Sequence, residues 1–220
     1  MVNHTMQKNF FISVIIPVRN AQKYIGRCIR SLKNQSISKK NFEIVIVDDY
    51  SRDNTYNEIR KQKFSNIKII RNKKNIGLPG SLNIGIRAAK GSFIVRVDAD
   101  DWVQEDFLNI MSTFLYINKN IDAVACDYTI TDFRENSIKE INCSKNPIGC
   151  GIMFRMQHLL DIDFYDEEFL YAEEEHLRKK FLKKYLITRI PISLYRYRKH
   201  EANRSKNKKL VKKYSNIANQ

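Results

Sequence analysis

Ser92–Trp102, SFIVRVDADDW, decides how this chain is read. Phe93 to Val97 has the make-up of a buried strand, yet it runs straight into Asp98, Asp100 and Asp101. Burying ionised carboxylates costs on the order of several kcal/mol each unless something pairs with them. A strand that ends in acids is therefore expected to hold a ligand. Side chains two apart on an extended segment share a face, so Asp98 and Asp100 are expected to meet one ligand and Asp101 to face elsewhere. A divalent cation, Mg²⁺ or Mn²⁺, suits oxygen donors, and with so few carboxylates it would be completed by water and phosphate. A calcium loop is excluded, because Trp102, Val103 and Asn109 stand where a ligand, a glycine and a glutamate are needed. The bland alternative is that Asp101 caps the next helix.

Working outward, Phe11 to Ile16 is a β-branched run expected to stop at Pro17, and Glu43 to Val47 and Ile67 to Ile70 are further strands. Helices are expected over 21–35, from Asp53 or Ser51 to about 64, and over 82–90. This alternation predicts an α/β fold, a single Rossmann-like domain whose mostly parallel central sheet is flanked by helices. In the second half, Ile121 to Tyr128 reads as a strand, Gly149 to Gly151 open a flexible stretch before Ile152 to Phe154, and Glu173 to Tyr185 reads as a helix with acids first and lysines after. Residues 1–205 form the domain and 206–220 a basic tail. Ligands of such sheets bind beyond the carboxyl ends of the strands. Pro17 to Asn20, Asp48–Asp49 and Asp98–Asp101 all fall there.

The chain has 220 residues, 43% of them hydrophobic, enough for one full core. Its 39 Lys and Arg against 24 Asp and Glu leave a net charge of +15. That points to an anionic partner, whether nucleic acid, an anionic membrane or a phosphorylated small molecule, or simply to a soluble lysine-rich surface. Acids at the ligand edge and the lack of any common nucleic-acid module argue against nucleic acid. Cys28, Cys126, Cys143 and Cys150 have neither zinc nor disulfide spacing. Phe10 to Val18 is too short to span a bilayer and lacks a cleavage signature, so the expected location is cytoplasmic, with peripheral contact at the inner membrane face left open.

Taken in order, ISVIIPVRN, EIVIVDDYSRDNT, NIGLPGSLNIGIRAAKGSFIVRVDADD, YAEEEHLRKKF and YRYRKH resemble the family 2 glycosyltransferases of GT-A fold, over about residues 11 to 205. The resemblance implies a metal-dependent enzyme that moves a sugar from a nucleotide-diphosphate donor, a UDP-sugar, to an acceptor hydroxyl with inversion, in polysaccharide or lipopolysaccharide assembly. Asp98-Ala99-Asp100 matches the DXD motif, with Asp100 on the metal and Asp98 near ribose and donor sugar. Asp49, with Asp48 beside it, matches the acid that meets the base. Pro17, Val18 and Asn20 would line the ribose and base pocket, and Asn75 to Gly77 the loop beneath it.

Glu174, then Glu173, matches the general base, a glutamate where the family's aspartate is a methylene shorter; Glu175 is angled away. His200 matches a late histidine at the metal or diphosphate, with Arg198 or Arg196 on the phosphates. Gly149 and Gly151 fall at the acceptor wall, and Trp102 offers a face on which a sugar could stack. The acceptor would be a glycan or lipid-linked glycan. One departure is Leu82-Asn83, where many members read Arg-Asn; Arg96 or Arg87 need not replace the lost cation, and base preference stays open. Transfer to a polyprenyl phosphate and a catalytically inactive sugar-nucleotide binder remain alternatives.

Overall fold

The computed structural model describes residues 11–201, 203, 210, 213 and 214, so most of the expected basic tail lies outside the described residues. The chain runs β1 (Ile12–Val18), α1 (Ile25–Lys33), β2 (Phe42–Asp48), α2 (Thr55–Arg60), β3 (Ile67–Arg71), α3 (Leu78–Ala88), β4 (Phe93–Arg96) and β5 (Trp102–Val103). It continues through α4 (Phe107–Ile117), β6 (Ala123–Thr131), β7 (Ser137–Ile141), β8 (Ile152–Arg155), α5 (Met156–Asp161), α6 (Glu173–Leu182) and β9 (Ile187–Arg198). All strands join one sheet in the order β3-β2-β1-β4-β8-β6-β9-β5, with β7 beside β6.

The first half follows the expected pattern. β1 pairs in parallel with β2 and β4, and β2 with β3. β1 and β2 are buried at every position, as strands covered by helices on both faces must be. β1 does not stop at Pro17 but carries it in register with Val47. A proline's fixed φ is compatible with extended backbone, so only a hydrogen bond is lost. α2 and α3 depart from the expected bounds at their ends, where periodicity is least informative. Neither Asp53 nor Ser51 is the N-cap of α2, which is Asn54; Asp53, one residue earlier, accepts from the Thr55 backbone N–H at 3.0 Å.

The second half makes the sheet mixed. β8 pairs antiparallel with both β4 and β6, β5 antiparallel with β9, and β9 parallel with β6. β9 thereby carries Tyr195 and Arg198 back beneath the acids that follow β4. The four cysteines are buried and free. No helix among the described residues is long and apolar enough to cross a membrane.

At the opposite edge, buried polar groups tie the parallel strands together. Ser13 Oγ donates to Glu43 Oε1 at 2.7 Å and accepts from the Gly91 N–H at 2.8 Å, while the Lys90 N–H donates to the same carboxylate at 2.6 Å. A Cβ on Gly91 would come within 2.5 Å of the Ser13 backbone nitrogen and 2.8 Å of the Ile12 carbonyl carbon. Backbone cannot swing aside as a side chain can. Gly91→Ala is expected to cost about 1–3 kcal/mol; a urea titration reads this as a lower midpoint at unchanged slope.

Candidate active site

Three strand ends and one helix start frame the site. Beyond β4 the chain turns at once, with the Asp101 N–H donating to the Asp98 carbonyl at 3.1 Å. Alternation of side chains therefore fails here, and Asp98 and Asp100 do not converge as expected. Asp98 is gripped by Arg96, whose Nε donates to Oδ1 at 2.6 Å and Nη2 to Oδ2 at 3.0 Å. Asp100 Oδ2 instead lies 2.8 Å from His200 Nε2. The His200 ring stacks on Tyr24 at 4.7 Å, and its buried Nδ1 makes no hydrogen bond. Ala99 is buried beneath the turn.

Asp101 is not a helix cap. Asp106 holds the N-cap position of α4, while Asp101 is 1% exposed inside the sheet. Its Oδ2 accepts from the Tyr195 hydroxyl at 2.7 Å and its Oδ1 from the Arg198 N–H at 2.8 Å. The Tyr195 oxygen in turn accepts from the Asp98 N–H at 3.1 Å. Burial, then the neighbouring charges of Asp100 and Asp98, push the Asp101 pKa well above the usual carboxylate range. The hydrogen bonds from the Arg198 N–H and the Tyr195 hydroxyl oppose that rise.

At the end of β2, Asp48 and Asp49 are both buried. Asp48 Oδ1 accepts from the Ser51 N–H at 2.9 Å, and Oδ2 lies 3.2 Å from Arg71 Nε. Asp49, favoured from sequence for the nucleotide base, already has donors on both oxygens. Its Oδ1 takes the Ile76 N–H at 2.8 Å and Asn72 Nδ2 at 3.0 Å, and its Oδ2 takes the Gly77 N–H at 2.9 Å. It therefore orders the 75–77 loop, with one donor on Oδ2 and two on Oδ1. Gly77 needs its φ of +88° there, and Asn75 Oδ1 lies 3.3 Å from its nitrogen. Pro17 and Val18 end β1 in the buried layer next to Asp48, and Asn20, exposed at φ 52°, takes the Arg52 N–H at 2.9 Å.

α6 starts after Ala172, whose left-handed φ of 56° turns the chain. Glu175 points outward to Lys179 at 3.7 Å, as expected. Glu173 is 6% exposed and accepts from Arg96 Nη1 at 3.2 Å. Glu174 lies against Gly149, where a Cβ would meet the Glu174 Cβ at 2.7 Å. Gly151, by contrast, packs behind the site on the Tyr195 ring, with a φ of +70°.

Two further expectations are corrected. Arg198 has no free fork for a diphosphate: Nε donates to the Asp100 carbonyl at 2.9 Å, Nη1 to the Phe133 carbonyl at 3.3 Å and Nη2 to Glu135 at 3.1 Å. Arg196 turns back on Ser193 and the Tyr195 carbonyl. Trp102 is buried with the Arg198 and Arg27 guanidiniums 4.5 and 5.0 Å from its ring centre, so it does not offer the expected stacking face. Leu82 is fully buried and supplies no polar group, whereas Asn83 bonds both backbone groups of Tyr165, at 2.8 and 3.0 Å. Sequence reasoning missed Tyr195 and the role of Arg96; a lone arginine inside an apolar strand was the available signal.

Among the described residues, two groupings could hold a cation. The side-chain ligand atoms of Asp98, Asp101 and Cys150 lie within 4.8 Å of one another. Both of those carboxylates are already committed, Asp98 to Arg96 and Asp101 to Tyr195 and the Arg198 N–H. Asp100 and His200 fit Mn²⁺ or Mg²⁺ better: one carboxylate oxygen and one imidazole nitrogen sit adjacent, with the carboxylate 29% exposed toward incoming ligands.

The sequence matches the family described as Glycosyl transferase family 2 over residues 13–186. A poly(ribitol-phosphate) β-glucosyltransferase of Bacillus spizizenii is 39% identical over 100 residues, covering 44% of this chain and 16% of that protein. Staphylococcus aureus TarS 1-349 in complex with UDP-GlcNAc superposes with a TM-score of 0.79 at 23% identity, over 94% of this chain and 65% of that one. The mannosyltransferase PcManGT from Pyrobaculum calidifontis, in complex with GDP-Man and Mn²⁺, gives 0.70 at 18% identity, over 87% and 58%. At such identities the structural likenesses speak for the fold alone, which is GT-A. This chain thus spans about a sixth of the first relative and about two thirds of TarS 1-349. With the family match running from β1 to the start of β9, the chain belongs to glycosyl transferase family 2.

Proposed function

We propose that this chain transfers a sugar from a UDP-sugar to an acceptor hydroxyl, with inversion at the anomeric carbon. The observation that carries this reading is the convergence, at one sheet edge, of Asp100 and His200, 100 residues apart in sequence, with the first turn of α6, which Arg96 ties to the same acidic turn. Asp100 and His200 would hold the divalent cation, which when bound neutralises charge on the departing diphosphate. Asp98, held by Arg96, faces the ribose and donor sugar. The Asn75–Gly77 loop, held by Asp49, lies under the nucleotide, and Pro17, Val18 and Asn20 border it.

Glu174 takes the acceptor's proton as its oxygen attacks the anomeric carbon. The bond from that carbon to the phosphate oxygen breaks, and the nucleoside diphosphate leaves with the electron pair. Glu173 is less suited, because its carboxylate is engaged by Arg96. The acceptor is a glycan or lipid-linked glycan of the cell surface. The poly(ribitol-phosphate) specificity in the relative's name and the net charge of +15 both favour an anionic one. Cytoplasmic placement, with the lysines of 206–213 resting on an anionic membrane, belongs to the same reading.

Melting is the first test, with UDP, GDP or CDP and with Mn²⁺, Mg²⁺ or EDTA. At a hundredfold excess over Kd, UDP with Mn²⁺ is expected to raise Tm by about 5–10 °C. EDTA and Asp100→Ala should each abolish the shift. If no nucleotide moves Tm under any metal, the donor assignment fails. Glu174→Gln is expected to keep the UDP shift and lower turnover of the nucleotide sugar by roughly 10²–10⁴-fold; an active Glu174→Gln would remove this residue from the mechanism.

A further inference from the structure

Arg96 is the one charged side chain in the apolar run of β4, and its side chain is only 10% exposed. An arginine cannot lose its proton in a protein, so burying it requires acids. It has two: Asp98 in its own turn, and Glu173, 77 residues from Arg96, in the first turn of α6. Burial by itself would lower the Arg96 pKa, but Asp98 and then Glu173 outweigh it and hold the guanidinium well above its ordinary value. All three nitrogens of the fork are engaged, Nε and Nη2 on Asp98 and Nη1 on Glu173, and Tyr165 hydrogen-bonds the same side chain. Bidentate pairing of this kind fixes direction as well as distance.

Around this fork the packing is tight. A Cβ on Gly149 would fall 2.8 Å from Arg96 Nη1 and 2.7 Å from the Glu174 Cβ, so the bare glycine backbone is what lies between guanidinium and glutamate. The Gly151 N–H donates to the Arg96 carbonyl at 3.3 Å, anchoring the same loop to β4. Tyr165, buried beside Arg96 with its pKa pushed up to about 12 by that burial, has its backbone pinned to α3 by Asn83. Moving Arg96 therefore frees Asp98, the start of α6 and the Gly149 loop together.

We infer that Arg96 is a positioning residue for the transfer step: it clamps Asp98 at the donor end to Glu173 on α6, and by engaging Glu173 it leaves Glu174 as the carboxylate free to act as base. This rests on the transferase reading above. It assigns to the chain's own arginine a job that neither substrate binding nor metal binding requires. Arg96 touches no reacting atom; it sets the separation between the group that orients the donor and the group that accepts the proton. Misplacement of such groups by about 1 Å is enough to cost about 10²-fold in rate.

The test compares wild type, Arg96→Met, Arg96→Lys, Glu173→Gln and the Arg96→Met/Glu173→Gln pair in the full chain. Two quantities are read: UDP affinity with Mn²⁺ by calorimetry, and kcat and KM for UDP release from UDP-N-acetylglucosamine or UDP-glucose, whichever wild type turns over faster. Arg96→Met is expected to lower kcat about 100-fold while the UDP Kd stays within about threefold. Arg96→Lys, which keeps the charge and loses the fork, should recover about tenfold of that loss. In the Glu173→Gln background, Arg96→Met should cost under about tenfold, because the clamp is already open.

The inference is overturned by losses that multiply independently, by an effect confined to UDP affinity, or by an Arg96→Met enzyme as fast as wild type. If Arg96→Met does not fold, Arg96→Lys and Glu173→Gln carry the test, and kcat losses that fail to overlap in the double variant overturn it. A wild type that neither binds UDP nor releases it from either sugar nucleotide overturns the transferase reading and this one with it. A wild type that does both, alongside an unaffected Arg96→Met, overturns this one alone.

Discussion

One phenol joins the two halves of this molecule. The Tyr195 oxygen accepts from the Asp98 N–H and donates to the Asp101 carboxylate, so a side chain on β9 completes the hydrogen bonding of the turn that follows β4. Without it a buried backbone donor and a buried carboxylate would both lose a partner, each at a cost of about 1–3 kcal/mol. Every other feature of the acidic turn depends on that closure. Asp101 is held inside the sheet, which sends Asp98 one way to Arg96 and Asp100 the other way to His200. Three neighbouring acids acquire three different environments, and only Asp100 is left in reach of a basic nitrogen at the edge of the fold.

The first half of the fold was legible because its physics is local. β1, β2 and β4 are buried along nearly all their length and consist mainly of Ile, Val and Phe, with Ser13, Glu43 and Asp48 as paired polar exceptions. The second half was harder for the same reason turned around. β9 reads ITRIPISLYRYR, with a proline and four arginines and tyrosines at its end. It becomes a strand by pairing with β6 and by burying Tyr195 and Arg198 against residues almost a hundred positions away. β7 is largely exposed and carries no apolar signature at all.

The site divides along the same line. Which strand ends carry acids could be read directly, and so could the inward placement of Glu173 and Glu174 relative to Glu175, since helical spacing decides it. What each acid is bonded to could not. Asp49 reads as a ligand contact, and in the fold it takes three donors, from Asn72, Ile76 and Gly77. Arg198 was taken for a phosphate contact and is built into the Asp100–Phe133–Glu135 framework. In both cases the residue type announces a charge to be satisfied, and only the fold says whether protein or ligand satisfies it.

Strand order also has a consequence for how the chain comes to be functional. Tyr195 and Arg198 reach their partners across sequence separations of 94 to 98 residues. Contacts of that span form late, because the intervening loop must be closed before they stabilise anything. A nascent chain that has only reached residue 186 can assemble the parallel half of the sheet, yet its acidic turn still has no phenol to close it. Closure of the acidic turn is thus withheld until β9 has been made, however early the parallel strands have paired.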